Sequence, residues 1–407
     1  METNKENYYS FSEATKILTQ EERLETGKQK KQLTIGIPRE ISYQENRVSL
    51  VPDGVGLLVN NGHKVLIETN AGKASNFLDN EYNECGGNIV YNKEEVFQSD
   101  IILKVSPPSD EEIDMLKYKQ SLISTLHLGI GNVNYLKKLM SKKITAIAFE
   151  YIKDKTNTNS VVRSMSEIAG NTSILIAAEY LSNINKGKGL MLGGFSGITP
   201  TEVVILGAGT VGEFAARAAM GLGATVKVFD NSIYKLRRLQ NSLGTRIITS
   251  VIQPRVLLKS LKTADVVIGA MHASQGRTPC IVTEEMVSQM KKGSVIIDVS
   301  IDQGGCIETS HVTNHTEPVY VKYGVIHYCV PNITSRVSRT ASYALNNFFA
   351  PILINIGDEG GIENFIKNDP GFRQGAYLFT GILTNKYIAE NYQLPFQDID
   401  LLLAAFH

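Results

Sequence analysis

Short apolar runs alternate with helical patterns over most of this chain. LTIGIP, starting at Leu33, reads as a strand, and Val55, Leu58 and Val59 recur at helical spacing in a helix from about Pro52. KVLIE (64–68) predicts the next strand, Asp79 to Cys85 a helix, NIVY a strand and Glu94 to Gln98 a short helix. IILKV (101–105), SLISTLH (121–127) and ITAIAFEY (144–151) continue the series. The polar stretch KDKTNTNSVVRS (153–164) interrupts it, and a helix is predicted from about Met165 to Asn185. Further strands follow at Val203–Leu206, Thr225–Phe229, ADVVIGA (264–270), SVIIDVS (294–300) and VIHYCV (325–330). A long helix then runs from Thr340 to Ile356, with more helices to the end. Strands and helices alternating at this spacing imply an α/β fold with mostly parallel sheets.

Composition narrows the class without naming a function. The 407 residues suggest two or three domains, and 41 basic residues balance 41 acidic ones. The charges are well mixed, so neither a nucleic-acid stripe nor an acidic tail is present. No run reaches the ~18 apolar residues of a membrane span. Residues 1–32 are polar, lack the apolar core of a signal peptide and read as an N-terminal extension, much of it a tail. Cys85, Cys280, Cys306 and Cys329 are far apart and form no C-x-x-C, which suits reduced thiols in a cytoplasmic protein and gives no metal site.

The most specific local signal is TEVVILGAGTVGEFAARAAMGLGATVKVFD (201–230). Gly207, Gly209 and Gly212 form G-x-G-x-x-G between a strand and a helix. The first permits a tight turn, the second lets backbone approach a pyrophosphate, and the third allows close helix packing. The helix N-terminus offers its free N–H groups and dipole to that pyrophosphate. The second strand ends at Asp230, whose carboxylate suits the two ribose hydroxyls and repels a 2′-phosphate, so NAD is favoured over NADP. The architecture expected is two Rossmann-like domains, with a nucleotide domain (165–339) inserted into a discontinuous substrate domain (33–164 and 340–407).

Ligands of open α/β sheets sit beyond the carboxyl ends of the strands. Arg47 lies in the loop after the first strand, Lys104 closes IILKV, His127 ends SLISTLH, and Asp302 follows SVIIDVS. Taken singly, each also has a plainer reading. Arg47 suits a surface ion pair, Lys104 a strand-end residue reaching water, His127 a structural histidine and Asp302 a turn residue before two glycines.

Taken in order, the motifs carry a resemblance. GIPREISYQENRVSLVPDGVGLLVNNGH, ILKVSPP, TLHLG, FEYI, SMSEIAG, the dinucleotide motif, VIIDVSIDQGGCIET, HYCVPN and SRTASYAL are similar, collinearly from about residue 33 to 400, to the NAD-dependent alanine dehydrogenase family. That family includes the soluble subunit of proton-translocating transhydrogenase. The resemblance implies NAD-dependent interconversion of L-alanine with pyruvate and ammonia. Arg47 and Lys104 would bind the carboxylate and oxo group of pyruvate, and His127 would donate and accept the proton. Asp302 would stand at the junction of nicotinamide and substrate. Ser166 and Asn332 match cofactor-contacting positions, and Lys235 one near the adenosine ribose. A homo-oligomer, typically a hexamer, with no nucleic-acid or membrane partner, would follow. The transhydrogenase subunit, one alternative, carries an Arg-Gln-Asp element where this chain reads Ser164-Met165-Ser166-Glu167. A catalytically silent NAD-binding sensor is the other. The chain also departs from the family's K-V-K-E-P after Lys104 and carries Ile333 where many relatives have methionine.

Overall fold

The computed structural model describes residues 30–126, 133–273 and 277–405. They form two sheets. The first has the order β15-β14-β6-β5-β4-β1-β2-β3. It is built from β1 (Thr34–Ile37), β2 (Lys64–Glu68), β3 (Asn88–Val90), β4 (Ile101–Leu103), β5 (Ser121–Ser124) and β6 (Thr145–Ala148), joined late in the chain by β14 (Ala376–Phe379) and β15 (Ile382–Leu383). The second has the order β12-β13-β11-β10-β7-β8-β9. Its strands are β7 (Glu202–Leu206), β8 (Thr225–Phe229), β9 (Ile248–Ser250), β10 (Val266–Gly269), β11 (Val295–Asp298), β12 (Val319–Lys322) and β13 (Val325–Tyr328). Pairing is parallel throughout, except for β12 with β13 and for β14 with β6 and β15.

The central strands are fully buried, as helices on both faces require. One core packs β1, β2 and β4 against the late helix Ser338–Asp358 through Leu345, Phe349, Leu353 and Ile356. The other packs β7, β10 and β11 against Ser160–Leu181 and Thr210–Gly221. These two helices approach so closely at Gly170 that a Cβ there would lie 2.5 Å from the Val211 carbonyl oxygen.

Several elements differ from the sequence-based expectation. The linking helix starts at Ser160, not Met165, and gives way to a 3₁₀ turn at Asn183–Asn185. The polar stretch before it is a turn centred on Asp154. One carboxylate oxygen accepts from Thr156 N (2.8 Å) and Thr158 N (3.0 Å), and the other accepts from the Ser160 hydroxyl (2.7 Å). These local bonds consume the polar residues and tie Ser160, the first residue of the helix, to the turn. The segment after the long helix is not wholly helical either. AYLF and IL form the β14–β15 hairpin, which adds antiparallel to β6. Its two-residue turn, Thr380 and Gly381, has φ of 47° and 82°, the left-handed pair that suits a tight hairpin. β9 and β12, short and at or next to a sheet edge, were likewise not legible from periodicity.

Candidate active site

The carboxyl ends of β7, β10, β11 and β13 lie on one edge of the second sheet, because these strands run parallel. The β7 end carries the glycine turn. Gly207 has φ of 112°, and a Cβ there would meet the Ala270 carbonyl oxygen at 2.3 Å. At Gly212 a Cβ would lie 1.9 Å from the Gly207 carbonyl oxygen and 3.4 Å from the Ile205 side chain, so the helix sits directly on the turn. At Gly209 a Cβ would meet nothing within 4 Å, and no side chain caps the Thr210–Gly221 helix that starts there. Open space before an uncapped helix start is where a pyrophosphate fits.

Asp230 directly follows β8 and is buried, with one carboxylate oxygen accepting from Ala208 N (2.8 Å) and the other from Ser232 N (2.7 Å). It thus fixes the glycine turn and the start of the next helix, and each oxygen keeps a lone pair for a hydroxyl. Lys235 is exposed in the first turn of that helix, Ile233–Leu243, capped by Ser232. Ser166 is half-buried on the linking helix. These residues fit a dinucleotide.

Across the cleft the first sheet presents its own carboxyl ends. Arg47 is almost fully buried and forks onto Glu45, Nε to Oε1 at 2.8 Å and Nη2 to Oε2 at 2.6 Å. It is therefore not a surface ion-pair residue. Its Nη1 reaches the other lobe, donating to Thr334 Oγ1 at 3.2 Å. Asn332, in the left-handed conformation (φ 55°), donates from Nδ2 to Glu45 Oε2 (2.9 Å) and from its backbone N to Asp302 Oδ1 (3.0 Å). Arg47, Glu45, Asn332 and Asp302 are thus one hydrogen-bonded network spanning both lobes. A polar concavity of about 480 Å³ opens beside it, lined by Arg39, Glu40, Gln44, Glu45 and Lys73 among others.

Lys104 follows β4 rather than closing it, and it does not reach water. It is fully buried, with Nζ 3.1 Å from Glu112 Oε1 and 3.4 Å from Glu40 Oε2. Glu112 also takes Lys93 at 2.7 Å, and Glu40 accepts from Val105 N at 2.6 Å. Its backbone N still donates to Ile123 O (2.9 Å) beside β5, so the side chain alone turns into this acidic pocket.

Electrostatics follow from burial and pairing. Burial disfavours the Lys104 ammonium, but Glu40 and Glu112 outweigh it and hold its pKa above the usual value. Burial likewise opposes the charge on Arg47, and Glu45 more than restores it. Glu45 stays below the ordinary carboxylate range, since Arg47 overcomes the cost of its burial. Burial wins at Glu40, whose pKa is raised against the pull of Lys104. Asp302 is also raised by desolvation, against the Asn332 N–H and Arg47. Its side chain nevertheless reaches solvent.

His127 lies outside the described residues. The preceding residue is held, with Leu126 N donating to Glu150 Oε1 at 2.8 Å. Periodicity offered no sign of Glu40, Glu45, Glu112 or Thr334. The available signals were the E-x-R spacing of Glu45 and Arg47, and an acidic residue eight positions after a strand-end lysine.

Fold and site together define a two-domain α/β protein with a dinucleotide turn on one sheet and a buried, paired arginine and lysine beyond the strand ends of the other. Residues 36–169 match the model for the alanine dehydrogenase/PNT N-terminal domain, and residues 173–386 the model for the C-terminal domain. The chain belongs to the alanine dehydrogenase/PNT family. Alanine dehydrogenase 2 of Staphylococcus aureus (strain Mu50) is 39% identical over 369 residues, covering 90% of this chain and 99% of that protein. A solved L-alanine dehydrogenase superposes with a TM-score of 0.83 at 36% identity, over 88% of this chain and 99% of its own. The transhydrogenase from Sinorhizobium meliloti shares the fold, with a TM-score of 0.74 at 24% identity, over 87% of this chain and 99% of its own.

Proposed function

We propose that this protein is an NAD-dependent L-alanine dehydrogenase, interconverting L-alanine and water with pyruvate and ammonia. The observation that carries the reading is the cross-lobe network of Arg47, Glu45, Asn332 and Asp302, whose Asp302 and Asn332 follow strands of the same sheet that carries the dinucleotide turn. Guanidinium and ammonium groups at a cleft suit a small 2-oxo acid, because charge-assisted bonds fix its carboxylate and polarise its oxo group. NAD, when bound, would supply the acceptor for the hydride leaving Cα of alanine.

The chain's own groups do the rest. Arg47 anchors the carboxylate. Lys104, just past the adjacent strand β4 and kept charged by its two glutamates, would polarise the oxo oxygen. The His127 imidazole, with a reference pKa of ~6.5, takes a proton from the attacking water and returns one to the leaving amine. Asp302 assists that water or ammonia at the cleft mouth. Gly207, Gly209, Gly212 and Asp230 would hold the cofactor, with Ser166, Lys235 and Asn332 contributing contacts.

NADH oxidation followed by absorbance, with pyruvate and ammonium, tests the reading. Turnover in the wild type and a large loss in His127→Ala are expected. NADH binding without turnover on any of a panel of 2-oxo acids would replace the enzyme with a sensor. Among the described residues no helix is long and apolar enough to cross a membrane. The reading also includes a cytoplasmic location and a hexameric assembly; light scattering on the purified protein checks the assembly.

A further inference from the structure

The donors of the Arg47 guanidinium can be counted. It has five N–H groups. Glu45 takes the Nε hydrogen and one Nη2 hydrogen, at 2.8 and 2.6 Å. Thr334 Oγ1 takes one from Nη1, at 3.2 Å. The second Nη1 hydrogen faces only the Met165 thioether, 3.5 Å away, a weak acceptor that a carboxylate oxygen readily displaces. One Nη2 hydrogen has no partner in this count. The two donors left are one on each terminal nitrogen, the pair a second carboxylate can grip together.

Two further bonds close a ring. Thr334 Oγ1 donates to Asn332 Oδ1 at 3.1 Å, and Asn332 Nδ2 donates to Glu45 Oε2 at 2.9 Å. The ring Arg47–Thr334–Asn332–Glu45 therefore crosses the cleft and returns. Thr334 and Glu45 are nearly buried, so little water competes for these bonds. The backbone around Arg47 is tied to the same 3₁₀ turn (Ile333–Val337), where the Ser335 hydroxyl accepts from Asn46 N (2.9 Å) and donates to Gln44 O (2.7 Å).

We propose that Glu45 and Thr334 are positioning residues, which lock the Arg47 guanidinium so that only its terminal Nη1/Nη2 end is open to the substrate carboxylate. Because Thr334 comes from the opposite lobe, this end is correctly aimed only when the lobes are docked. The inference rests on Arg47 binding the substrate carboxylate. Thr334→Val keeps shape and removes the acceptor. It should raise KM for pyruvate about tenfold, the scale of one lost bond to a charged group. kcat and KM for NADH should stay near wild type, Tm should fall by only several degrees, and Thr334→Ser should recover the pyruvate KM.

Glu45→Gln separates aim from charge. Deleting a negative charge beside an anion site by itself lowers KM, whereas losing the lock raises it. A raised pyruvate KM with unchanged NADH KM supports the proposal. A lowered KM in Glu45→Gln, or wild-type pyruvate kinetics in Thr334→Val, overturns it. If Glu45→Gln does not fold, the Thr334 pair decides alone. Absence of wild-type turnover would instead remove the function on which the proposal stands.

Discussion

Lys104→Met should destabilise the protein in a pH-dependent way, apart from any catalytic effect. The ammonium lies 3.1 Å from Glu112 and 3.4 Å from Glu40, fully out of water. At the effective dielectric of about 20 that suits buried groups, each contact is worth about 5 kcal/mol before desolvation. Desolvation returns most of that gain, but removing one partner strands the others. The usual loss for breaking a buried pair is about 3–5 kcal/mol. Glu112 keeps Lys93, so the stranded charge is chiefly Glu40, left with the backbone N–H groups of Val105 and Ser106. A Tm roughly 10 °C lower follows near pH 8, at about 2–4 °C per kcal/mol for a domain of this size.

The sign of the pH effect is fixed. The folded pKa of Glu40 is already raised by burial, and loss of Lys104 raises it further. A protonated Glu40 carries no stranded charge. The deficit is therefore smallest below the ordinary carboxylate range and grows as pH rises through the folded pKa. Thermal unfolding at pH 5 and pH 8, with Lys104→Met, Glu40→Gln and the double variant, checks this. The double variant should regain most of the loss at pH 8. A Tm within about 2 °C of wild type at both pH values, or purely additive losses, would refute the reasoning.

Three further outcomes are expected. Gly209→Ala should fold normally but bind NADH weakly, since its Cβ enters open space at the helix start, whereas Gly212→Ala should lose stability, its Cβ falling 1.9 Å from the Gly207 carbonyl oxygen; Tm and NADH titration distinguish them. Asp230→Ala should weaken NAD binding and relax discrimination against NADP, as measured by paired cofactor titrations; unchanged affinities for both would free Asp230 of that role. His327 is fully buried, its Nδ1 donating to Val325 O and its Nε2 accepting from Thr309, and burial pushes its pKa down to about 4. The unfolded chain then binds this proton first, so roughly 3 kcal/mol of stability should be lost as pH falls from about 7 to 4. Denaturant unfolding across that range should show a smaller loss in His327→Gln.

The local chemistry of this protein was written in consecutive residues. Buried parallel strands announce themselves as apolar runs, and the dinucleotide turn as three glycines whose spacing is set by one tight turn and one helix start. The placement of Asp302 just past an apolar run was legible for the same reason: where such a run stops, a polar side chain stands near the sheet's edge. Tertiary structure alone decided what such side chains meet. Thr334 lies 287 residues from Arg47, and Asn332 lies 287 from Glu45. No local propensity records pairs so distant. They exist because the chain, after building the second sheet, returns to pack the helix Ser338–Asp358 into the first core, which carries the Asn332–Ser335 turn across the cleft. The burial of Lys104 between two acids, and the late hairpin that completes the first sheet, have the same origin in long-range packing.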